Sequence, residues 1–147
     1  MKKLLLILLA LTMCVSMCAC GESREEKIAN ELESKTWTCT PSLTNQNSGI
    51  VTNFSHTYRF EDGIAYVEVV TETNDWILGI LPSYRAYYGP YTVDEDKTIT
   101  ITIAGEKEDR YEDYTLLDKI ESSHIYYSFY DGELKLYLHE DMTEEIK

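Results

Sequence analysis

From Thr36 onward, polar and apolar residues alternate along most of the chain. Phe54, His56, Tyr58 and Phe60 fall on one register, and Ser55, Thr57 and Arg59 on the other. Ile99, Ile101 and Ile103 oppose Thr98, Thr100 and Thr102, and Leu134, Leu136 and Leu138 oppose Glu133, Lys135, Tyr137 and His139. A period of two with one apolar face is the signature of half-buried antiparallel strands, because successive side chains leave a strand on opposite sides. The pattern predicts strands near 36–41, 52–61, 64–72, 76–81, 85–93, 98–104, 110–117, 124–130 and 133–139. Asp62-Gly63 and Asp131-Gly132 are two-residue links of the type that tolerates positive φ, so they read as tight hairpin turns. Pro82 is expected to end the run from Trp76 to Leu81.

One segment departs from this rhythm. Ser23 is followed three residues later by Glu26, the spacing of a capping box. Ile28 and Leu32 then recur four apart, so Arg24 to about Ser34 reads as a short amphipathic helix. It is either a stiff spacer or a lid on the domain end, and its length does not decide between them. A helix followed only by eight or nine consecutive, hairpin-linked strands is an all-β chain. Such a meander leaves two unpaired edges unless it closes, and an antiparallel up-and-down β-barrel of about eight strands removes them. A barrel of that size has an interior wide enough for side chains or for one small ligand.

The first residues follow different rules. Lys2 and Lys3 precede an almost wholly apolar stretch from Leu4 to Met17, the charged and hydrophobic regions of a secretory signal peptide. Gly21, Glu22, Ser23, Arg24 and Glu25 arrive too soon for the roughly 20 apolar residues that a membrane span needs. Met17-Cys18-Ala19-Cys20-Gly21 resembles a bacterial lipobox, in which the cysteine after the cut carries a diacylglyceryl thioether. On this reading residues 1–19 are the signal peptide, Cys20 is the lipidation site, and 20–34 form the tether and helix. Residues 35–140 form the barrel domain, and 141–147 an acidic C-terminal tail. The protein is then exported and held by its lipid on the extracytoplasmic face of a bacterial cell envelope. Two acyl chains are enough for stable anchoring, whereas one is marginal.

This address empties the cysteine run of metal chemistry. Cys14 and Cys18 leave with the signal peptide and Cys20 commits its sulfur to lipid, so Cys39 has no intramolecular disulfide partner. It reads as a small apolar core residue on a strand. Removing residues 1–19 of the 147 leaves 128, enough for one domain, and takes away Lys2 and Lys3 but no acid. The net charge moves from −13 to −15. That sign argues against nucleic acid, anionic lipid surfaces and polyanionic glycans. Asp94-Glu95-Asp96 lacks the spaced ligand series of a calcium loop and reads as a turn.

Several stretches together resemble a known family. Leu32-Glu33-Ser34-Lys35-Thr36-Trp37 opens the first strand and Phe60-Glu61-Asp62-Gly63 closes the second. Gly89-Pro90-Tyr91-Thr92-Val93 leads to Thr98-Ile99-Thr100-Ile101. These are similar to motifs of the small bacterial lipocalin-like lipoproteins, over roughly residues 32 to 139. Ser34 stands where that family usually has glycine, and no arginine stands out as the one that often packs over the tryptophan. The resemblance implies a calyx-type barrel, with Trp37 plugging one end, and binding of a small apolar molecule.

Candidate chemistry is sparse. Among the three histidines, His56 sits in the apolar register, His124 follows Ser122-Ser123 as if at a loop, and His139 lies on a polar register. No two share a metal-ligand spacing, and the chain has no nucleophile elbow or phosphate-cradling glycine loop. A non-enzymatic role without cofactor or metal is therefore expected. The twelve tyrosines are the better clue: ordinary sheet propensity accounts for them, and so does binding, since tyrosine joins a large apolar face to a hydrogen-bonding tip. Phe54, His56, Tyr58, Phe60, Ile101 and Tyr127 are the candidate barrel-lining residues for a small apolar ligand. Outward tyrosines such as Tyr88 and Tyr126 would serve the alternative. That alternative is a filled barrel acting as an envelope interaction module, which docks a protein or glycan partner through exposed aromatics and loops.

Overall fold

The computed structural model describes residues 22–44, 50–75 and 79–147. The signal peptide, Cys20 and the first part of the run from Trp76 lie outside the described residues. The chain forms a short helix followed by a nearly closed antiparallel barrel. Helix α1 (Arg24–Glu33) precedes β1 (Trp37–Cys39), β2 (Ser42–Thr44), β3 (Val51–Glu61), β4 (Ile64–Asp75) and β5 (Gly79–Val93). Strands β6 (Thr98–Lys107), β7 (Thr115–Tyr130), β8 (Glu133–Tyr137) and β9 (Glu145–Ile146) complete the sheet. Its order is β1-β3-β4-β5-β6-β7-β8-β9, with β2 pairing β3 as a continuation of β1. Every pairing between these strands is antiparallel, which is the up-and-down barrel that the alternation predicts.

The helix starts where the capping box places it. Ser23 N–H donates to Glu26 Oε2 at 2.7 Å and Glu26 N–H donates to Ser23 Oγ at 3.1 Å, so two amides without intrahelical partners are satisfied. Ile28 and Leu32 lie one turn apart on the inner face and are fully buried, each contributing about 1.5–3 kcal/mol of transfer free energy. Glu33 then staples the helix to the barrel, accepting from Gly63 N–H and from Tyr91 Oη–H, both at 3.1 Å. The helix is a lid on one end of the barrel.

The turns at that end carry the residues their geometry requires. Asp62 and Gly63 have φ of 51° and 75°, Asp131 and Gly132 of 52° and 80°, the two positive values of a type I′ hairpin turn. Gly89 serves a different need. An added Cβ there would meet Thr102 O at 1.7 Å, where the β5–β6 register shifts between Tyr88 and Tyr91. Only glycine lets the two backbones approach so closely at this bulge.

Four boundaries differ from the sequence reading. The first strand splits at Pro41 into β1 and β2, both held on β3. Pro82 does not end a strand. It pairs with Glu72 inside β5, on the stretch before Ala86 that has no β6 partner, and a strand laddered on one side tolerates the missing N–H. Ser122 and Ser123 do not start a loop either, for β7 runs through them from Thr115 to Tyr130. The irregularity sits earlier, where Leu116–Glu121 of β7 oppose Gly105–Ile103 of β6. Finally, residues 141–147 are not a free tail. Glu145–Ile146 form β9 on β8 and Ile146 is buried. Thr38 N–H donates to Lys147 O at 2.5 Å and Lys147 N–H to Thr38 O at 2.7 Å, a reciprocal pair that joins the last strand to the first.

Candidate functional site at the open mouth

Strand lengths divide the barrel into two halves. The seam strands β1, β8 and β9 are short and lie near the helix, whereas β3, β4, β5 and β7 run on for 11, 12, 15 and 16 residues. Near α1 the interior is a packed core containing Trp37, Tyr58, Phe60, Val67, Ile99, Ile101, Ile125, Tyr127, Leu136 and Ile146. Among the described residues, no buried side-chain nitrogen or oxygen there lacks a partner. Away from the helix the long strands overhang the short ones, and the barrel opens.

The expected lining residues separate across this divide. Tyr58, Phe60, Ile101 and Tyr127 are buried in the core, while Phe54 and His56 are half-buried further toward the mouth. His56 joins the two groups. Its ring lies 6.2 Å from both Phe54 and Tyr58, and its Nδ1 hydrogen-bonds Tyr58 Oη at 3.3 Å. Burial pulls the His56 imidazole below its ordinary pKa, with Glu144 opposing, and burial pushes the Tyr58 phenol up. Tyr87 Oη reaches from β5 to Ser123 Oγ on β7, 3.2 Å away. These four side chains form a polar floor between the packed half and the open one. Cys39, paired with His56, is buried and its thiol is pushed up to about 11, mainly by burial and then by Glu144.

Of the four floor side chains, Tyr87 also lines a cleft of about 1150 Å³ toward the mouth. It is lined by Val69, Val70 and Thr71 of β4, by Pro82, Ser83, Tyr84, Arg85 and Tyr87 of β5, and by Glu108–Tyr111 of the β6–β7 connection. Val69 pairs with Arg85, Thr71 with Ser83 and Val67 with Tyr87, so these residues share the inward register with core residue Val67. Arg85 forms a 3.3 Å ion pair with Glu106, and the Arg110 guanidinium lies 5.3 Å from the Tyr84 ring centre. Tyr111 stands at the lip, 97% exposed. None of the six expected lining residues contacts this cleft. The signal that finds it is the overhang of β4 and β5 beyond β6, which depends on strand pairing and not on local pattern.

Trp37 sits at the helix end, buried, its Nε1–H donating to Leu32 O at 3.0 Å. The cation over its ring is Lys35, whose Nζ lies 4.0 Å from the ring centre. A search for arginine passes over it. The outward tyrosines are engaged with their own chain. Tyr88 stacks on Tyr66 at 6.2 Å and meets Tyr114 edge-on at 4.7 Å, with Arg59 over Tyr66 and Lys107 over Tyr114. Tyr126 lies across from Thr98 and Tyr137.

His124, inside β7, hydrogen-bonds Thr100 Oγ1 at 3.2 Å through Nδ1 and Ser122 Oγ at 3.3 Å through Nε2, and Thr100 donates to Asp94 Oδ2 at 2.8 Å. This exposed network braces β6 against β7, and the mouth cleft does not include it. Among the described residues no group of three His, Cys, Asp or Glu side chains is placed to hold a metal ion. The chain matches no family model and no curated protein.

Proposed function

We propose that this is an exported lipoprotein, anchored through Cys20, whose lipocalin-like barrel holds a small, mainly apolar molecule in its open half. The observation that carries the reading is the division of the interior. The half near α1 is filled, and the half toward the mouth opens into a cleft of about 1150 Å³ that Tyr87 borders. That size lies just above the roughly 300–1,000 Å³ of most small-molecule sites, which combine apolar walls with a few convergent polar groups. On the inward register Val69 and Tyr87 supply the walls and Thr71, Ser83 and Arg85 the polar groups, while Val70, Pro82 and Tyr84 border the cleft from the opposite register along β4 and β5.

The experiment is a titration of the unlipidated chain from Gly21 to Lys147 with the neutral dye N-phenyl-1-naphthylamine, followed by dye emission. The reading predicts saturable one-to-one binding that dodecanoic acid reverses and Tyr87→Ala weakens at least fivefold. Emission that rises without saturating, from a cooperatively folded chain, refutes it. Anchoring is tested separately by Cys20→Ala, which should abolish both the lipid mass increment and membrane partitioning.

A second reading rests on the exposed apolar residues of the mouth half, Leu43, Ile80, Leu81, Leu116 and Ile120. They fit an interaction module that docks an envelope protein at the rim. Crosslinking from Tyr111 in the intact envelope to a single partner, by a chain that binds no dye, distinguishes it.

A further inference from the structure

The exposed apolar residues of the mouth half invite the idea that the rim dips into the bilayer. The geometry of the tether points the other way. We infer that the closed, helix-capped end rests on the membrane and that the mouth opens into the aqueous phase, roughly 30 Å above the surface. The inference rests on anchoring through Cys20 and is independent of what the cleft binds.

Helix α1 begins at Arg24 and lies across the end that carries the β3–β4 turn, since Glu33 accepts from Gly63 N–H. The start of the helix stays at the same end, where Glu22 and Glu26 line one surface cleft with Gly63 and Tyr91. From Cys20 to Arg24 there are four residue steps, which span at most about 14 Å when fully extended. Strand β4 runs 12 residues from the closed end to the mouth. At about 3.4 Å per residue and a barrel tilt near 40°, that is roughly 30 Å of height. A 14 Å leash from the closed end cannot place the mouth against the bilayer that holds the lipid. Ligand therefore exchanges with the aqueous side or with a carrier, and not with the anchoring bilayer.

The two most exposed tyrosines mark the two ends. Tyr111, at the lip of the cleft, is 97% exposed, and Tyr130, beside the β7–β8 turn, is 85% exposed. Each is replaced in turn by p-azidophenylalanine and labelled with a small fluorophore. The full mature chain is then coupled through Cys20 to a maleimide lipid in phosphatidylcholine vesicles carrying nitroxide headgroups. Cys39, buried and with its thiol pushed up to about 11, stays unreacted. The expected result is at least threefold stronger quenching at position 130 than at position 111. Stronger quenching at 111, equal quenching at both, or none at either overturns the orientation. Because the lipid is attached chemically, this outcome does not depend on whether cells lipidate Cys20, which the mass of the exported protein reports.

Discussion

The two halves of the barrel come from the same alternating strands, yet one is filled and the other open. Beside α1, inward positions carry Trp37, Val67, Ile99, Ile101, Ile125 and Leu136, all essentially inaccessible to solvent. Toward the mouth, inward positions of β3, β4, β5 and β7 carry His56, Thr71, Ser83, Arg85 and Ser123, none of them buried. Alternation decides only that a residue points inward. Whether inward means core depends on how many strands surround that level, and the short β1, β8 and β9 surround only the half beside the helix. The closed half holds the fold, and the open half is free to carry other chemistry.

The largest loss is expected at Trp37. Trp37→Ala removes the largest fully buried side chain and its bond to Leu32 O, and should cost about 3–5 kcal/mol in urea denaturation. Ile146→Ala comes next, at about 2–4 kcal/mol, because it loosens the seam where Lys147 meets Thr38. Were 141–147 a free acidic tail, the same change would leave the midpoint where it is. At the floor, Tyr87→Phe deletes the bond to Ser123 and should lower stability by about 1 kcal/mol.

Because His56 is held below its ordinary 6.5 in the folded chain, the unfolded chain takes up a proton there that the folded chain refuses. Its contribution to stability is present above pH 6.5 and is lost as pH falls below it. His56→Gln should flatten that limb of the pH–stability curve. The smallest effect belongs to the lip, where Tyr111→Ala should shift stability by less than about 0.5 kcal/mol. A large loss there would mean that the mouth also holds the fold.

Much of the closed half is legible in the sequence, and little of the mouth is. Ser23 with Glu26, the pair Ile28 and Leu32, the Asp-Gly turns and the Ile99/Ile101 and Leu134/Leu136 alternations are local signals, and local rules place them correctly. Ile146 is hidden because one apolar residue among Glu144, Glu145 and Lys147 has no period to reveal it. Pro82 and the Ser122-Ser123 pair look like strand ends, yet β5 and β7 pass through them, since pairing on a neighbour outweighs local preference. Lys35 over Trp37 and the cleft between β5 and the β6–β7 connection are products of tertiary placement.

Hydrogen exchange on the unlipidated chain, followed by mass spectrometry with and without N-phenyl-1-naphthylamine, tests the division most directly. Amides of 58–60, 65–67, 99–101, 125–127 and 134–136 should exchange only through global unfolding. Those of 69–75, 79–85 and 115–121 should exchange at least a hundredfold faster and slow when dye is bound. Uniform protection along the strands, or dye protection confined to the helix end, would contradict the account.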